Sequence, residues 1–295
     1  MLDVRKLRLL RELAHRQTIA AVAEALNYTP SAVSQQLSAL EREAGVPLLE
    51  RTGRRVTLTP AALSLVEHTE TILATLEQAA AELTSAGGQL TGTLRIGAFP
   101  SAVPTILAPA LVSLTGEHPG LDVVVTELDP ATAPAALRTE TVDVALVQEY
   151  DHVPTPPDPA LDTDPLLAET IYLAARGDDP LPKHRDSPWI AGTPGTLCHS
   201  MTIRVCEAAG FSPRIRHHVD DFSAVLAFIA AGRGVSMVPE LGARTPPEGV
   251  VLTPLPTRRH TRLAYRRGTG AHPVVSAARS ALHDCAARRF PQALP

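Results

Sequence analysis

From Thr29 to Gln36 the chain reads Thr-Pro-Ser-Ala-Val-Ser-Gln-Gln, short hydroxyls and carboxamides at helical spacing. A Gln carboxamide can pair with adenine at two atoms, and a Ser hydroxyl is short enough to reach a phosphate or a base edge. Further on, Arg51, Arg54 and Arg55 flank Gly53. Two arginines beside a glycine at a loop tip suit a narrow minor groove, where negative potential is strongest. Other reactive side chains carry weaker signals. Cys198 and Cys206 are eight residues apart, ~12 Å along a helix, beyond disulfide reach unless that helix unwinds. His217 and His218 are adjacent, so on a strand they point to opposite faces. Asp220 or Asp221 then reads as a plain helix cap, and no metal site is expected. Gly232-Arg233-Gly234 reads as a tight turn. The chain has no phosphate loop, nucleophile elbow or HExxH motif, so neither a catalytic set nor a cofactor is expected.

The elements that must hold the first group are legible nearby. Val4, Leu7, Leu10 and Leu13 follow helical spacing. Thr18 can cap a second, Ala-rich helix from Ile19 to Leu26, and small residues let a neighbouring helix approach closely. Asn27-Tyr28-Thr29 forms a turn, with Thr29 as cap and Pro30 at the first helical position, where a missing N–H costs nothing. The next helix runs from Pro30 to Ala44 and is stopped by Gly45. Val33, Leu37 and Leu40 share one face of it, while Ser31, Ser34, Gln35, Ser38 and Arg42 share the other. This is the pattern of a helix-turn-helix. Residues 50–59 read as a wing of short strands. Over 61–88, Leu65, Ile72, Leu76, Ala79 and Leu83 form an apolar stripe with no partner nearby in sequence. A second copy of the chain is expected to cover it.

After a Gly-Gly joint at 87–88, strands and helices alternate. Strands are predicted at 94–98, 123–127 and 142–147, with helices at 101–117 and 131–140, a βαβαβ run implying a parallel sheet. Residues 151–165, rich in Pro and Asp, read as a crossover. The alternation restarts with strands at 166–175, 189–190, 214–219 and 235–238 and helices at 197–209 and 221–231. A short strand at 263–265 and a helix at 273–289 then return to the first lobe. Two lobes joined by crossing segments make a cleft, the default place for a small ligand.

Charge and composition agree with a two-part chain. Residues 1–60 carry nine Lys/Arg and six Asp/Glu, a net +3, while the whole 295-residue chain is −4. A basic head on an acidic body fits a nucleic-acid module fused to a sensing module. The opening residues have no apolar leader core and no stretch is long enough to span a bilayer, so a cytoplasmic protein without membrane contact is expected. Three cysteines are too few for a secreted disulfide framework. High Ala, Arg and Pro usage points to a GC-rich bacterial genome.

Ile19–Ala62, reading IAAVAEALNYTPSAVSQQLSALEREAGVPLLERTGRRVTLTPAA, closely resembles the DNA-binding region of LysR-type transcriptional regulators. The Ala-rich helix, turn, Ala-Val-Ser recognition helix, Leu-Glu-x-x-x-Gly-Val-x-Leu-Leu-x-Arg run, Arg/Gly wing and Leu-Thr appear in family order. One departure is Thr29-Pro30-Ser31, where many members read Ser-Gln-Pro, which removes a Gln that often reads bases. The resemblance implies DNA contact by Thr29, Ser31, Ser34, Gln35 and Gln36, with Gln35 ranked above Gln36, and by Arg51, Arg54 and Arg55. It implies effector contact by Pro100, Ser101, Ala102, Gln148, Thr196, Leu197, Cys198, His199 and Phe222. Because several of these sit at helix starts with unpaired N–H groups and the others at the ends of neighbouring strands, an anionic small molecule fits.

The expected fold is an N-terminal all-α winged helix-turn-helix (1–60) and a linker/dimerisation helix (61–88), then an α/β two-lobed periplasmic-binding-protein-like effector domain (91–295). Lobe I takes 91–160 and 263–295, and lobe II takes 161–262. The resemblance further implies a homodimer through the linker helix, paired into a tetramer, on an interrupted palindrome of double-stranded DNA. Three alternatives stay open: redox sensing through Cys198 and Cys206, a cytoplasmic solute-binding protein, and a hydrolase. The last two leave the first 65 residues unexplained.

Overall fold

The computed structural model describes residues 1–52, 55–85 and 90–290. The chain forms two compact units, Met1–Gly87 with Arg266–His272, and Gly88–Tyr265 with Pro273–Pro295.

In the first unit, each of the opening helices starts where a side chain takes up an otherwise unpaired N–H. The Asp3 carboxylate accepts from Arg5 N ahead of α1 (Val4–Arg16), Thr18 Oγ1 from Ala21 N ahead of α2 (Ile19–Ala25), and Thr29 Oγ1 from Ala32 N ahead of α3 (Pro30–Ala44). Gly45 ends α3 at φ +71°, a left-handed conformation that favours glycine. Leu7, Leu10, Leu13, Val22, Val33, Leu37 and Leu40 pack into one core. A hairpin of β1 (Leu49–Thr52) and β2 (Arg55–Leu58) follows, with Leu49 opposite Leu58. Glu41 Oε1 accepts from Leu48 N and Leu49 N, both at 3.0 Å, fastening the hairpin to α3.

Thr59 caps α4 (Pro60–Ser85), which packs on α1 around Arg11, Glu12 and Glu70. Residues 266–272 also lie on α4: a Cβ at Gly268, where φ is +88°, would sit 2.3 Å from Ala74 O. Leu65 packs partly into the head core, whereas Ile72, Leu76 and Leu83 are exposed.

The second unit is built on a six-stranded sheet in the order β4-β3-β5-β10-β6-β9. These are β3 (Gly92–Ala98), β4 (Leu121–Glu127), β5 (Val144–Tyr150), β6 (Leu161–Ala175), β9 (Ser236–Pro239) and β10 (Val251–Arg266). β3 runs parallel to β4 and β5, while β10 is antiparallel to β5 and β9 to β6. In the first lobe α5 (Ala108–Glu117) and α9 (Pro273–Arg289) cover one face and α6 (Ala133–Arg138) the other. In the second lobe β7 (Pro188–Ala191) pairs in parallel with β8 (Arg214–His218), and Trp189 bridges to Val235 just before β9. Helices α7 (Leu197–Ala208) and α8 (Phe222–Ala230) pack over these strands.

Three expectations are corrected. Residues 101–117 are not one helix: a 3-10 turn (Pro100–Ala102) and a wider turn (Val103–Leu107) precede α5. Pro109 has no N–H to offer Thr105, and Ala108 N–H reaches back to Val103 O instead. The strand predicted from 166 begins at Leu161, and the short strand at 263–265 is the end of a sixteen-residue one. Their polar, Pro-containing halves read as loop in composition, yet they complete the sheet through pairing distant in sequence. Leu10 is fully buried and Val46 is 45% exposed. Leu10→Ala should therefore lower the stability of the first unit by about 2–5 kcal/mol, and Val46→Ala by no more than about 0.5 kcal/mol, in urea unfolding followed by circular dichroism.

Candidate functional site

The core residues Val33, Leu37 and Leu40 fix which side of α3 faces outward. Thr29, Ser31, Gln35 and Gln36 are exposed there, and Ser34 is half-buried. Exposure does not separate Gln35 from Gln36. The Thr29 hydroxyl oxygen is engaged by the cap on Ala32 N and shares a 3.0 Å hydrogen bond with Ser31 Oγ, so Ser34 and the two glutamines hold the freer polar groups. Tyr28 stands 48% exposed in the turn that Asn27 opens at φ +56°. It was not among the sequence candidates, although an aromatic in that turn was visible. The backbones of Arg51 and Arg55 belong to β1 and β2, and Arg54 lies outside the described residues.

A second constellation gathers in the second unit around a buried guanidinium. β10 alternates, so Thr257, Arg259, Thr261 and Leu263 turn the same way, and all four are buried. Arg259, 1% exposed, donates through Nη2 to Ser101 Oγ (3.1 Å) and through Nη1 to Gln148 Oε1 (3.0 Å). Its Nε and Nη2 both lie 2.7 Å from Glu169 Oε1, while Glu169 Oε2 accepts from Leu241 N at 2.6 Å. The Phe99 ring lies 4.8 Å from the guanidinium carbon. Burial pushes the Glu169 carboxyl above its usual range, with Arg259 and the Leu241 amide opposing.

Ser101 and Gln148, two of the expected effector contacts, are thus brought together by a residue the sequence reading missed. The signal was faint but present: Glu169 is a lone acid in the apolar run Leu166-Leu167-Ala168-Glu169, and Arg259 a lone base on an inward face.

The second-lobe candidates cluster around Gly192. Thr196 Oγ1 caps α7 by accepting from His199 N, and His199 Nδ1 and His218 Nδ1 both reach Gly192 O, at 2.9 and 3.2 Å. A carbonyl partner fixes the proton on Nδ1 of each ring. Cys198 Sγ shares a 2.9 Å hydrogen bond with the Tyr150 hydroxyl, the residue opposite Arg259 across β5 and β10. Phe222 packs in the second-lobe core and lies against Gly242. The turn Glu240–Gly242 comes within 8 Å, Cα to Cα, of Pro100–Ala102, so the two lobes meet there. The side chain of Ala102 is buried in the first-lobe core and Leu197 packs against the second. At these two positions the side chains serve the cores.

Residues 4–63 match the bacterial regulatory helix-turn-helix protein model of the lysR family, and residues 87–287 match the LysR substrate binding domain. The chain is 28% identical over 265 residues to the transcriptional dual regulator GltC of Bacillus subtilis, covering 86% of each. It is 28% identical over 286 residues to the DNA-binding transcriptional dual regulator OxyR of Escherichia coli, covering 91% of this chain and 90% of the other. A cysteine-mutant OxyR structure from Corynebacterium glutamicum aligns with a TM-score of 0.59 at 24% identity, over 99% of this chain and 93% of that one.

Cys198 and Cys206 lie on one unbroken helix, α7, and both are free thiols. Burial raises both, Cys206 to about 12. A raised thiol pKa means the reactive thiolate is scarce at neutral pH and appears only as pH climbs towards that value. Peroxide at pH 7 should therefore leave no Cys198–Cys206 disulfide in a peptide mass map. Iodoacetamide should label Cys206 at least about tenfold more slowly in the native chain than in urea. A native disulfide between the two would revive redox sensing.

Proposed function

The chain belongs to the LysR family of bacterial regulatory helix-turn-helix proteins, and from that premise we propose how its own residues divide the regulator's work. It is a LysR-type transcriptional regulator with an effector-binding domain. Residues 1–60 form the DNA reader, 61–88 the dimerising linker and 91–295 the effector domain, which binds its ligand between the lobes. Ser31, Ser34, Gln35 and Gln36 contact base edges and backbone in the major groove of double-stranded DNA, with Thr29 shaping the helix start. Arg51, Arg54 and Arg55 contact the backbone and minor groove. The reading is carried by one observation: α3 is anchored by three buried aliphatic residues while an unbroken polar strip faces outward.

On α4, Leu63, Ile72, Leu76 and Leu83 are exposed apolar residues. A second copy of the helix covers them, giving a dimer that reads an interrupted palindrome and pairs further into a tetramer. The protein acts in the cytoplasm and has no enzymatic turnover. This is supported by the family's role as transcriptional regulators; separately, no described helix is long and apolar enough to cross a membrane.

The test is footprinting on the DNA upstream of the chain's own gene. Wild type should protect a site with dyad symmetry. Gln35→Ala should weaken binding by about tenfold or more. Arg54→Ala should weaken it across sequences and flatten the salt dependence. A folded protein that protects nothing at low salt would overturn the DNA-reading assignment.

A further inference from the structure

The Arg259–Glu169 pair is an odd thing to find inside a protein. Both residues are 1% exposed, and moving two charges out of water is costly before any attraction is counted. Replacing a buried ion pair by apolar side chains of similar volume is often neutral or stabilising. Hydrophobic burial alone therefore does not account for the pair, and its geometry is unsaturated in one informative respect. The Nε/Nη2 edge of a guanidinium matches a carboxylate with two parallel bonds, one to each oxygen. Here that edge is spanned by a single oxygen, Oε1 at 2.7 Å from both nitrogens, because Oε2 is drawn away to Leu241 N. A free carboxylate has no such second obligation.

We infer that the effector carries a carboxylate that takes the place of Glu169 on Arg259, releasing the Leu241 amide. This rests on the reading that the effector binds between the lobes. Ser101 and Gln148 hold the guanidinium from the first lobe, and Phe99 holds one of its faces, so the cation is pre-positioned whichever carboxylate occupies it. Glu169 is the internal occupant of a carboxylate-sized site. Displacing it removes one of the ties between β6 and the turn Glu240–Gly242, which also follows directly on the Ile171–Pro239 pairing and whose Leu241 side chain is buried in the first-lobe core. That turn is where the lobes meet, so exchange of one carboxylate for another becomes a change in how the lobes are held.

The full chain with Glu169→Ala leaves a hole shaped for a short carboxylic acid beside Arg259. Sodium propionate should raise its melting temperature by about 3 °C or more beyond the shift given by propionamide or sodium chloride at equal concentration and ionic strength. Adding Arg259→Gln should abolish that difference. Glu169→Gln keeps the volume and removes the competing charge, so it serves if the alanine variant does not fold. Tested against acetate, propionate, benzoate and succinate, it should bind its best ligand about tenfold tighter than wild type does. Equal shifts from propionate and propionamide, or carboxylate binding no tighter in Glu169→Gln than in wild type, would overturn the inference. The melts contain no DNA. An intact footprint with no carboxylate response rejects this site alone, and a carboxylate response without a footprint rejects the DNA reader alone.

Discussion

The second unit is organised around the need to satisfy one buried cation. Arg259 lies on β10, and its partners come from the turn after β3 (Ser101), from β5 (Gln148) and from β6 (Glu169). Glu169 in turn needs an amide from the turn after β9. A buried guanidinium left without these partners would be strongly destabilising, so the pair is tolerable only once all these segments have assembled. It also polices register. Side chains alternate along a strand, so a slip of one residue in β10 would turn Arg258 or His260 inward and Arg259 out. The antiparallel pairing of Arg259 with Tyr150 through Tyr265 with Val144 is the register in which inward positions hold Thr257, Arg259, Thr261 and Leu263.

The parts of the fold legible in the sequence are those whose causes are local. Thr18, Thr29, Pro30 and Gly45 act within a turn of where they stand, and Val33, Leu37 and Leu40 define a face by spacing alone. The helix-turn-helix and its outward polar strip could therefore be read in full. The effector domain was legible as alternating α/β but not in its long strands. Leu161-Asp-Thr-Asp-Pro at the start of β6 and Thr-Pro-Leu-Pro-Thr in β10 carry loop composition. Only pairing to partners far along the chain makes them strand, and no window of the sequence contains that information. The Arg259–Glu169 pair spans ninety residues and is invisible for the same reason.

The candidate effector positions show a graded version of this rule. Ser101 and Thr196 could be placed at helix starts from local pattern, and Thr196 does cap α7. What Ser101 touches depends on a strand more than 150 residues away. Cys198 and Cys206 drew notice as a pair because of their chemistry, yet each answers to a different neighbour: Cys198 to the Tyr150 hydroxyl and Cys206 to the second-lobe core. Spacing along α7 separates them, since an intact helix holds residues eight apart ~12 Å from one another.

The two units also differ in how their functional surfaces are made, and the difference bears on regulation. The outward face of α3 needs no switch of its own: its position follows from buried aliphatic contacts that have one good arrangement. The lobe junction includes charge-assisted hydrogen bonds to Arg259, in which one carboxylate can stand in for another on the guanidinium. A ligand moves an equilibrium only by as much as it prefers one state. Swapping an apolar contact for a polar ligand would forfeit burial energy before any preference appeared. Swapping carboxylate for carboxylate keeps the guanidinium satisfied but leaves Glu169 and the Leu241 amide to find new partners, so a ligand's preference must exceed the cost of releasing them.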